Sequence, residues 1–255
     1  MCGKDRFRNL ALLSAGTLAG TLAGTEAASA EGRNGSEAPK KPNILFFLVD
    51  DLGWSDIGCF GSRFHETPNI DRLAEEGVRF TNAYAACHVS SPTRASLMTG
   101  RYPASIRLTD WLPGRKNWPF QRLLNAPVEQ HLPFEEITVA ETLRDNGYAT
   151  AIIGKWHLGK GDSNPLAHGF DEHIPLGYNE GWPQGYYAPF RLNGYEGEEG
   201  EYLTDVMTRE ATKYIEEHKD GPFFLYMSHV AVHDPIQGRK DLVEKYRRKL
   251  ATMHY

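Results

Sequence analysis

Uninterrupted apolar runs mark the strands that the sequence predicts. The run over 43–49 (NILFFLV) is typical of a strand buried on both faces of a parallel sheet, because it leaves no polar side to face water. Further segments rich in apolar residues predict strands over 78–85, 148–153 and 223–227. Four strands are therefore expected.

Amphipathic segments lie between these runs and predict helices. A glycine follows three of the segments, at a position where it can end a helix. The predicted helices cover residues 67–76, 92–98, 138–146, 205–217 and 242–250. Because strands alternate with helices along the chain, the expected fold class is α/β with a mainly parallel sheet.

The first thirty residues differ in composition from the rest of the chain. A basic start is followed by a short stretch of small apolar residues over 10–24 and by Ala-Ser-Ala at 28–30. This arrangement predicts a signal peptide over residues 1–30, and hence a periplasmic or secreted protein. The apolar stretch is too short for a stable membrane span. Residues 31–41, rich in Gly, Ser, Pro and charge, are predicted to form a linker.

Charge and cysteine content argue against two classes of protein. The formal net charge is −5 and no long basic run occurs, so no nucleic-acid partner is expected. After the predicted signal peptide, two cysteines remain, Cys59 and Cys87, too few for a disulfide framework in a chain of this length. They either pair with each other or remain buried thiols, and the sequence leaves both possibilities open.

The string SSPTR at 90–94, followed by TGR at 99–101, carries the most specific chemical signal. Pro92 predicts that a helix begins here, and the exposed N–H groups of a helix N-terminus favour an anion. Ser90 would be a nucleophile precursor at that point, and Arg94 lies one turn into the helix, where its guanidinium can approach the same anion. An ordinary serine N-cap would explain the first residues alone, but not the whole string.

Two adjacent carboxylates, Asp50 and Asp51, follow the first predicted strand. Open α/β sheets bind their ligands at the carboxyl ends of their strands. Two like charges there repel each other unless a cation joins them, so the pair indicates a hard divalent cation such as calcium. An acidic pair in a surface turn is the alternative interpretation.

Two histidine-containing strings also follow predicted strands. In GKWHLG, Lys155 and His157 are two residues apart, so an extended loop would place both side chains on one face. In SHVAVHDP, His233 lies two residues before a proline and is suited to acid–base chemistry near neutral pH. His229 lies closer to the strand and is predicted to be a structural histidine with its hydrogen bonds satisfied.

Together these four elements resemble the sulfatase family over most of residues 42–247. In that family the first residue of a Cys/Ser-x-Pro-Ser/Thr-Arg string is oxidised to formylglycine by a separate maturation enzyme. The register selects Ser90, since Cys87 lies five residues before the proline. The resemblance therefore implies a serine-type sulfatase, which a radical maturase modifies.

The resemblance also implies a role for each candidate residue. Ser90, once converted to formylglycine, provides the hydroxyl that attacks sulfur, while Arg94 and Lys155 neutralise the charge of the sulfate. His233 protonates the departing alcohol, and His157 is the base that helps to release sulfate from the covalent intermediate.

A calcium site is implied by the same resemblance. Its ligands would be Asp50, Asp51 and the modified Ser90, together with a distant Asp-Asn pair. That pair, and a further lysine that binds sulfate, would lie beyond Tyr255. The pair Asp145-Asn146 is not that distant pair, because it ends a predicted helix.

The fold implied by the resemblance is a three-layer α/β/α sandwich with a mainly parallel central sheet, of the alkaline-phosphatase or sulfatase type. Residues 42–255 would be the N-terminal part of the catalytic domain, truncated at the C-terminus. Two alternatives stay open: an inactive, truncated relative, and a phosphatase or phosphonate-ester hydrolase of the same superfamily that uses Ser90.

Aromatic and arginine residues are frequent in two predicted loops, over 101–133 and 177–187. They either form a platform for a sugar or pack against the protein, which is the commoner fate of such residues. The string TDWLPG at 109–114 resembles exported bacterial sulfatases that act on glycans. A sulfated carbohydrate is therefore the expected substrate.

Overall fold

A computed structural model describes residues 41–176, 185–190, 195 and 197–253. Within these residues the strands form one parallel sheet with the order β1-β4-β2-β3. The strands are β1 (Ile44–Leu48), β2 (Ala149–Gly154), β3 (Glu172–Ile174) and β4 (Phe223–Ser228). The helices are α1 (Pro68–Glu76), α2 (Ser90–Thr99), α3 (Pro103–Ile106), α4 (Val139–Asp145), α5 (Leu203–His218) and α6 (Lys240–Thr252), with single 3-10 turns at Gly58–Phe60 and Pro165–His168.

The side chains of β4 alternate between two apolar layers. Phe223, Leu225 and Met227 pack with the buried residues of α5 on one side of the sheet. Phe224 and Tyr226 belong to a second cluster, to which α2, α3 and α4 contribute from the other side. Because β4 is central and buried on both faces, its sequence is a continuous apolar run. The α/β class with a parallel central sheet, expected from the sequence, is confirmed.

The carboxyl ends of β1, β4 and β2 are level in the sheet. Leu48 of β1 and Gly154 of β2 both pair with Ser228, the last residue of β4. The residues that follow the three strands therefore start from one edge, where parallel sheets commonly bind ligands.

The prediction of a strand over residues 78–85 is wrong. The structure forms bends and irregular backbone there, and every residue is exposed, including Val78 at 76% and Tyr84 at 86%. Among the residues that the structure describes, no strand pairs with this segment, so its backbone groups remain open to water. Conversely, the sequence did not predict β3, whose three residues are too few for a recognisable pattern.

Several sequence predictions fall partly or wholly outside the described residues. These are the signal peptide at 1–30, nearly all of the linker at 31–41 and much of the aromatic loop at 177–187. In the described part of the chain, no helix is both long and apolar enough to cross a membrane. Cys59 and Cys87 are partly buried and both are free thiols, which decides the alternative left open above.

Candidate active site

A cluster of charged groups at the carboxyl edge of the sheet joins Asp50, Ser90 and Lys155. Asp50 follows β1, Lys155 follows β2 and Ser90 begins α2. The Lys155 Nζ donates hydrogen bonds to Asp50 Oδ2 at 2.5 Å and to Ser90 Oγ at 2.9 Å. Ser90 Oγ in turn donates to Asp50 Oδ1 at 3.2 Å. Three residues predicted from separate motifs are thus in direct contact.

Arg94 completes this cluster from the first turn of α2. Its Nη2 donates to Asp50 Oδ1 at 3.1 Å, the same oxygen that accepts from Ser90. Its Nη1 donates to the backbone oxygen of Lys155 at 3.1 Å, to Tyr226 Oη at 3.2 Å and to Ser228 Oγ. The guanidinium is 99% buried and is therefore held as a fixed positive charge.

Sequence analysis missed Tyr226 and Ser228, the two β4 residues that hold Arg94. A signal was present, because these polar side chains are two apart at the carboxyl end of an otherwise apolar strand. Residues two apart on a strand lie on the same face, so both point toward α2.

The electrostatics of the cluster leave a surplus of positive charge near Ser90. Burial, the largest single effect, raises the pKa of Asp50, but the charges and hydrogen bonds of Arg94 and Lys155 together hold that pKa below its usual value. Burial and the Arg94 charge lower the pKa of Lys155 to about 8, against the opposing effect of Asp50. Two cations therefore face one ionised carboxylate around the Ser90 hydroxyl.

Gly154 allows β2 to bring Lys155 into this position. Its φ is +109°, and a Cβ built there would lie 2.1 Å from the backbone oxygen of Ser228. The next N–H, that of Lys155, donates to this same oxygen at 2.9 Å. Only glycine permits so close an approach of the two strand ends.

His157 departs from the extended loop that the sequence suggested. Its φ is +56°, in the left-handed region, so the alternation of an extended strand does not set the direction of its side chain. Its Nε2 lies 3.0 Å from the carbonyl oxygen of Leu112, which can only accept a hydrogen bond. Nε2 therefore carries the proton and Nδ1 carries the lone pair.

The Nδ1 atom of His157 is buried and has no hydrogen-bond partner among the described residues. Burial and the nearby Lys155 charge lower the pKa of His157 to about 4, so the ring is neutral at physiological pH. Leu112, which sets the tautomer, is fixed in turn because its N–H donates to Ser91 Oγ at 3.1 Å. Sequence analysis missed both Leu112 and Ser91.

His233 lies at the outer side of the cluster, next to Asp51. Its Nε2 is 3.7 Å from Asp51 Oδ2, and its Nδ1 is 2.8 Å from the backbone oxygen of Asp234. Asp51 has a φ of +57°, which separates its exposed carboxylate from the buried carboxylate of Asp50. The Asp50 N–H donates to the Ala231 oxygen at 2.8 Å and so ties the His233 loop to β1.

His229 is buried, as expected for a structural histidine. Its ring centroid lies 4.6 Å from that of Phe47. The expectation that its hydrogen bonds are satisfied is wrong, because within the described part of the chain its Nε2 has no partner. Burial lowers the pKa of His229 to about 4, which keeps the ring neutral.

The acidic pair offers carboxylate oxygens, the type of donor that a hard divalent cation takes. In the regions that the structure describes, no group of three or more His, Cys, Asp or Glu side chains is placed to hold a metal ion. The Asp50 carboxylate nevertheless lies beside the Ser90 oxygen, the Asp51 carboxylate lies next to His233, and oxygen donors are what calcium requires. Asp145 and Asn146 lie at the end of α4, just before β2 begins and thus at the opposite edge of the sheet.

The sulfatase family model matches residues 42–253, so the chain belongs to the sulfatase family. The chain is 36% identical over 238 residues to the N-acetylgalactosamine-6-sulfatase of Homo sapiens, and the match covers 85% of this chain and 44% of that relative. It is 30% identical over 269 residues to the N-acetylgalactosamine-6-O-sulfatase of Bacteroides thetaiotaomicron, where the match covers 80% and 50%. The chain thus spans about half the length of the curated relatives it matches.

Solved structures show the same relationship. The crystal structure of Ps i-CgsB superposes with a TM-score of 0.68 and 32% identity, over 82% of this chain and 49% of that chain. The structure of BT4656 in complex with its substrate D-glucosamine-2-N,6-O-disulfate gives a TM-score of 0.65 and 31% identity, over 82% and 38%. These neighbours confirm the sulfatase-like fold.

Proposed function

We propose that the protein hydrolyses sulfate esters of a glycan, with a formylglycine made from Ser90 as the nucleophile and calcium as the metal ion. The observation that carries the proposal is the position of Ser90 Oγ, within 2.9 Å of Lys155 Nζ and 3.2 Å of an Asp50 oxygen that also accepts from Arg94. Family membership supports sulfate as the transferred group.

Fixed positive charge is the first requirement of this chemistry. The negative oxygens of a sulfate ester repel an incoming nucleophile, and a site that neutralises them lowers the barrier. Lys155 and Arg94 provide two cations that are buried and hydrogen-bonded before substrate arrives. No reorganisation is then needed during the reaction.

Residue 90 must supply the nucleophile. Oxidation of the Ser90 hydroxymethyl group by a radical, serine-type maturase would give an aldehyde, whose hydrate offers one hydroxyl to attack sulfur and another to release sulfate. An unmodified serine has no second hydroxyl and would remain sulfated. The lone pair on His157 Nδ1 provides a neutral base for the proton of that second hydroxyl. His233 donates a proton to the leaving alcohol through Nε2.

Calcium fits the all-oxygen donor set of Asp50, Asp51 and residue 90. A calcium ion prefers six to eight oxygen ligands, so these three residues would supply part of its coordination. The ion would supply a Lewis acid that withdraws charge from the sulfate. Asp50 would contribute from the buried cluster around Ser90, and Asp51 from its exposed position next to His233.

A glycan substrate and export from the cell belong to the same proposal. Two of the relatives are N-acetylgalactosamine 6-sulfatases, and the BT4656 structure contains a sulfated glucosamine. A periplasmic or secreted location, with residues 1–30 as signal peptide and 31–41 as linker, would place the enzyme where such glycans occur.

Mass spectrometry of the Ser90 peptide tests the central step. After coexpression with a serine-type radical maturase, we expect the peptide to lose two hydrogens, about 2 Da, as the hydroxyl becomes an aldehyde. Cys87→Ala is the matched control, because Cys87 is out of register and its loss should leave conversion intact. Ser90→Ala should abolish both the mass change and sulfate release from a 6-sulfated N-acetylgalactosamine.

An unconverted Ser90, under conditions that convert a known sulfatase, would contradict the formylglycine mechanism. Phosphate-ester hydrolysis by that unconverted protein would instead support the alternative of a phosphatase of the same superfamily that uses Ser90.

A further inference from the structure

Tyr186 is a buried residue that sequence analysis did not assign to the site. Its side chain is 97% buried, and its Oη donates to the backbone oxygen of His233 at 2.8 Å. Its backbone N–H donates to Gln237 Oε1 at 2.6 Å. One residue therefore holds the His233 segment at two points, four residues apart.

The ring of Tyr186 is fixed to the central sheet through α5. Its backbone oxygen accepts from the N–H of Leu203, the first residue of α5, at 2.8 Å. Its ring stacks on Tyr202 with centroids 5.8 Å apart, and Tyr202 Oη donates to the backbone oxygen of Gln237 at 2.9 Å. Because α5 packs against β2 and β4, the hydroxyl of Tyr186 has a rigid support.

The opposite side of the same loop is held by β1. The Asp50 N–H donates to Ala231 at 2.8 Å, and the Val232 N–H donates to the Asp50 oxygen at 2.7 Å. His233 is thus the first residue after the contacts with Asp50. Its own N–H donates to the Val230 oxygen at 3.0 Å, and its carbonyl accepts from Tyr186. With Nδ1 at 2.8 Å from the Asp234 oxygen, the ring orientation follows the backbone at 233–234.

We propose that Tyr186 is a positioning residue for His233, and that its hydroxyl sets the direction from which Nε2 donates its proton to the leaving alcohol. This inference rests on the proposed function, in which His233 is the general acid. Burial raises the pKa of the Tyr186 phenol, so the hydroxyl remains protonated and can donate throughout the working range.

A positioning role for the acid has a specific kinetic consequence. Proton donation matters most when the departing oxygen is strongly basic, and matters little when it leaves as a stable anion. A misdirected His233 should therefore steepen the dependence of kcat on the basicity of the leaving group. General damage to the loop would lower kcat for all substrates by a similar factor.

The test is the Tyr186→Phe variant of the full-length protein, with Ser90 converted to formylglycine. Its kcat is measured on a series of aryl sulfates, from 4-nitrophenyl sulfate to 4-methoxyphenyl sulfate. We expect kcat to fall about tenfold to a hundredfold for the most basic leaving group and less than about twofold for 4-nitrophenol. Tyr187→Phe is the matched control, because its hydroxyl accepts from the Lys240 N–H at 3.1 Å and does not contact His233. Tyr187→Phe should leave the dependence of kcat on leaving-group basicity unchanged.

His233→Asn separates failure of this inference from failure of the proposed function. If His233→Asn steepens the dependence of kcat on leaving-group basicity and Tyr186→Phe does not, the positioning role is overturned and the acid role of His233 stands. If His233→Asn leaves the slope unchanged, both are overturned. Should Tyr186→Phe fail to fold, 4-fluorophenylalanine at position 186 fills the place of the hydroxyl without a donor for the His233 oxygen. A dependence of kcat on leaving-group basicity no steeper than that of wild type in that variant overturns the inference.

Discussion

Helices α5 and α6 are both amphipathic, yet only α5 is buried. Five residues of α5, among them Leu203 and Tyr214, are buried, and the helix packs against β2 and β4. No residue of α6 is buried, and its Leu242 and Leu250 are 43% and 48% exposed. The same periodicity predicts a helix in both cases, but it does not reveal what the helix packs against.

We define the outer surface as α1, residues 78–85 and α6. None of these residues is buried, so α1 and residues 78–85 share the exposure of α6. The contacts of the outer surface include ion pairs of Lys245 and Lys249 with Glu66, and exposed ion pairs contribute little to stability. The difference teaches that stability and site geometry in this chain both depend on the buried sheet.

The largest expected difference between the two regions concerns glycines. Gly154→Ala would place a Cβ 2.1 Å from the Ser228 oxygen and 2.6 Å from Met207 Cε, at a φ of +109°. We expect a loss of more than about 4 kcal/mol of unfolding free energy, measured by urea denaturation. Gly61→Ala, at φ +104° with nothing within 4 Å, should cost only about 1–2 kcal/mol. Equal losses would contradict the comparison.

Truncation of one leucine in each helix gives the next largest difference. Leu203→Ala in α5 removes a side chain that is 2% exposed, and we expect a cost of about 2–5 kcal/mol. Leu250→Ala in α6 removes one that is 48% exposed and should cost less than about 1 kcal/mol in the chain of 255 residues. Urea denaturation of both variants measures the contrast, and a large cost at Leu250 would show that α6 is covered in solution.

The smallest difference concerns acid stability, which should come from the buried region. Burial lowers the pKa of His229 and of His173 to about 4, so the unfolded chain binds more protons than the folded one below about pH 6.5. Unfolding free energy should therefore fall as pH drops from 6.5 toward 4. For one such histidine the loss is about 2 kcal/mol between pH 7 and pH 5.

Replacement of the buried histidine tests this assignment. His229→Gln loses the ring contact with Phe47 and so lowers stability at pH 7, but it should flatten the dependence on pH between 7 and 5. His173→Gln provides an independent measurement away from the His233 loop. If the unfolding free energy of both variants depends on pH as steeply as that of wild type, groups other than His229 and His173 cause the acid sensitivity.

The sequence predicted those parts of the fold that depend on local pattern. Strands β1, β2 and β4 were all recognised as apolar runs, and β2 and β4 are buried on both faces. The expectation that β1 is also buried on both faces is wrong among the described residues, because β1 lies at the edge of the sheet and Phe47 is 53% exposed. The segment 78–85 is interrupted by Arg79, Thr81 and Asn82 and has no neighbouring strand among the described residues, and the prediction failed. Apolar character predicts burial only where a partner is available.

The candidate site was predictable as a set of residues but not as a network. Asp50, Ser90 and Lys155 follow from strings at strand ends and a helix start, and the structure brings them into contact. The carbonyl of Leu112 reaches His157 from 45 residues upstream, and Tyr186 reaches His233 from 47 residues upstream. Neither contact has a local pattern, since both depend on how distant loops meet.

The level ends of β1, β4 and β2 restrict how this site can diverge. A strand can slip only by whole residues, and a slip of one residue turns every side chain to the opposite face. A single insertion within β1 would move Asp50 away from Lys155, whereas the loops between the strands can lengthen without disturbing either residue. Descendants of this chain can therefore acquire new specificities by remodelling their loops, while the three strands must keep their lengths and alignment.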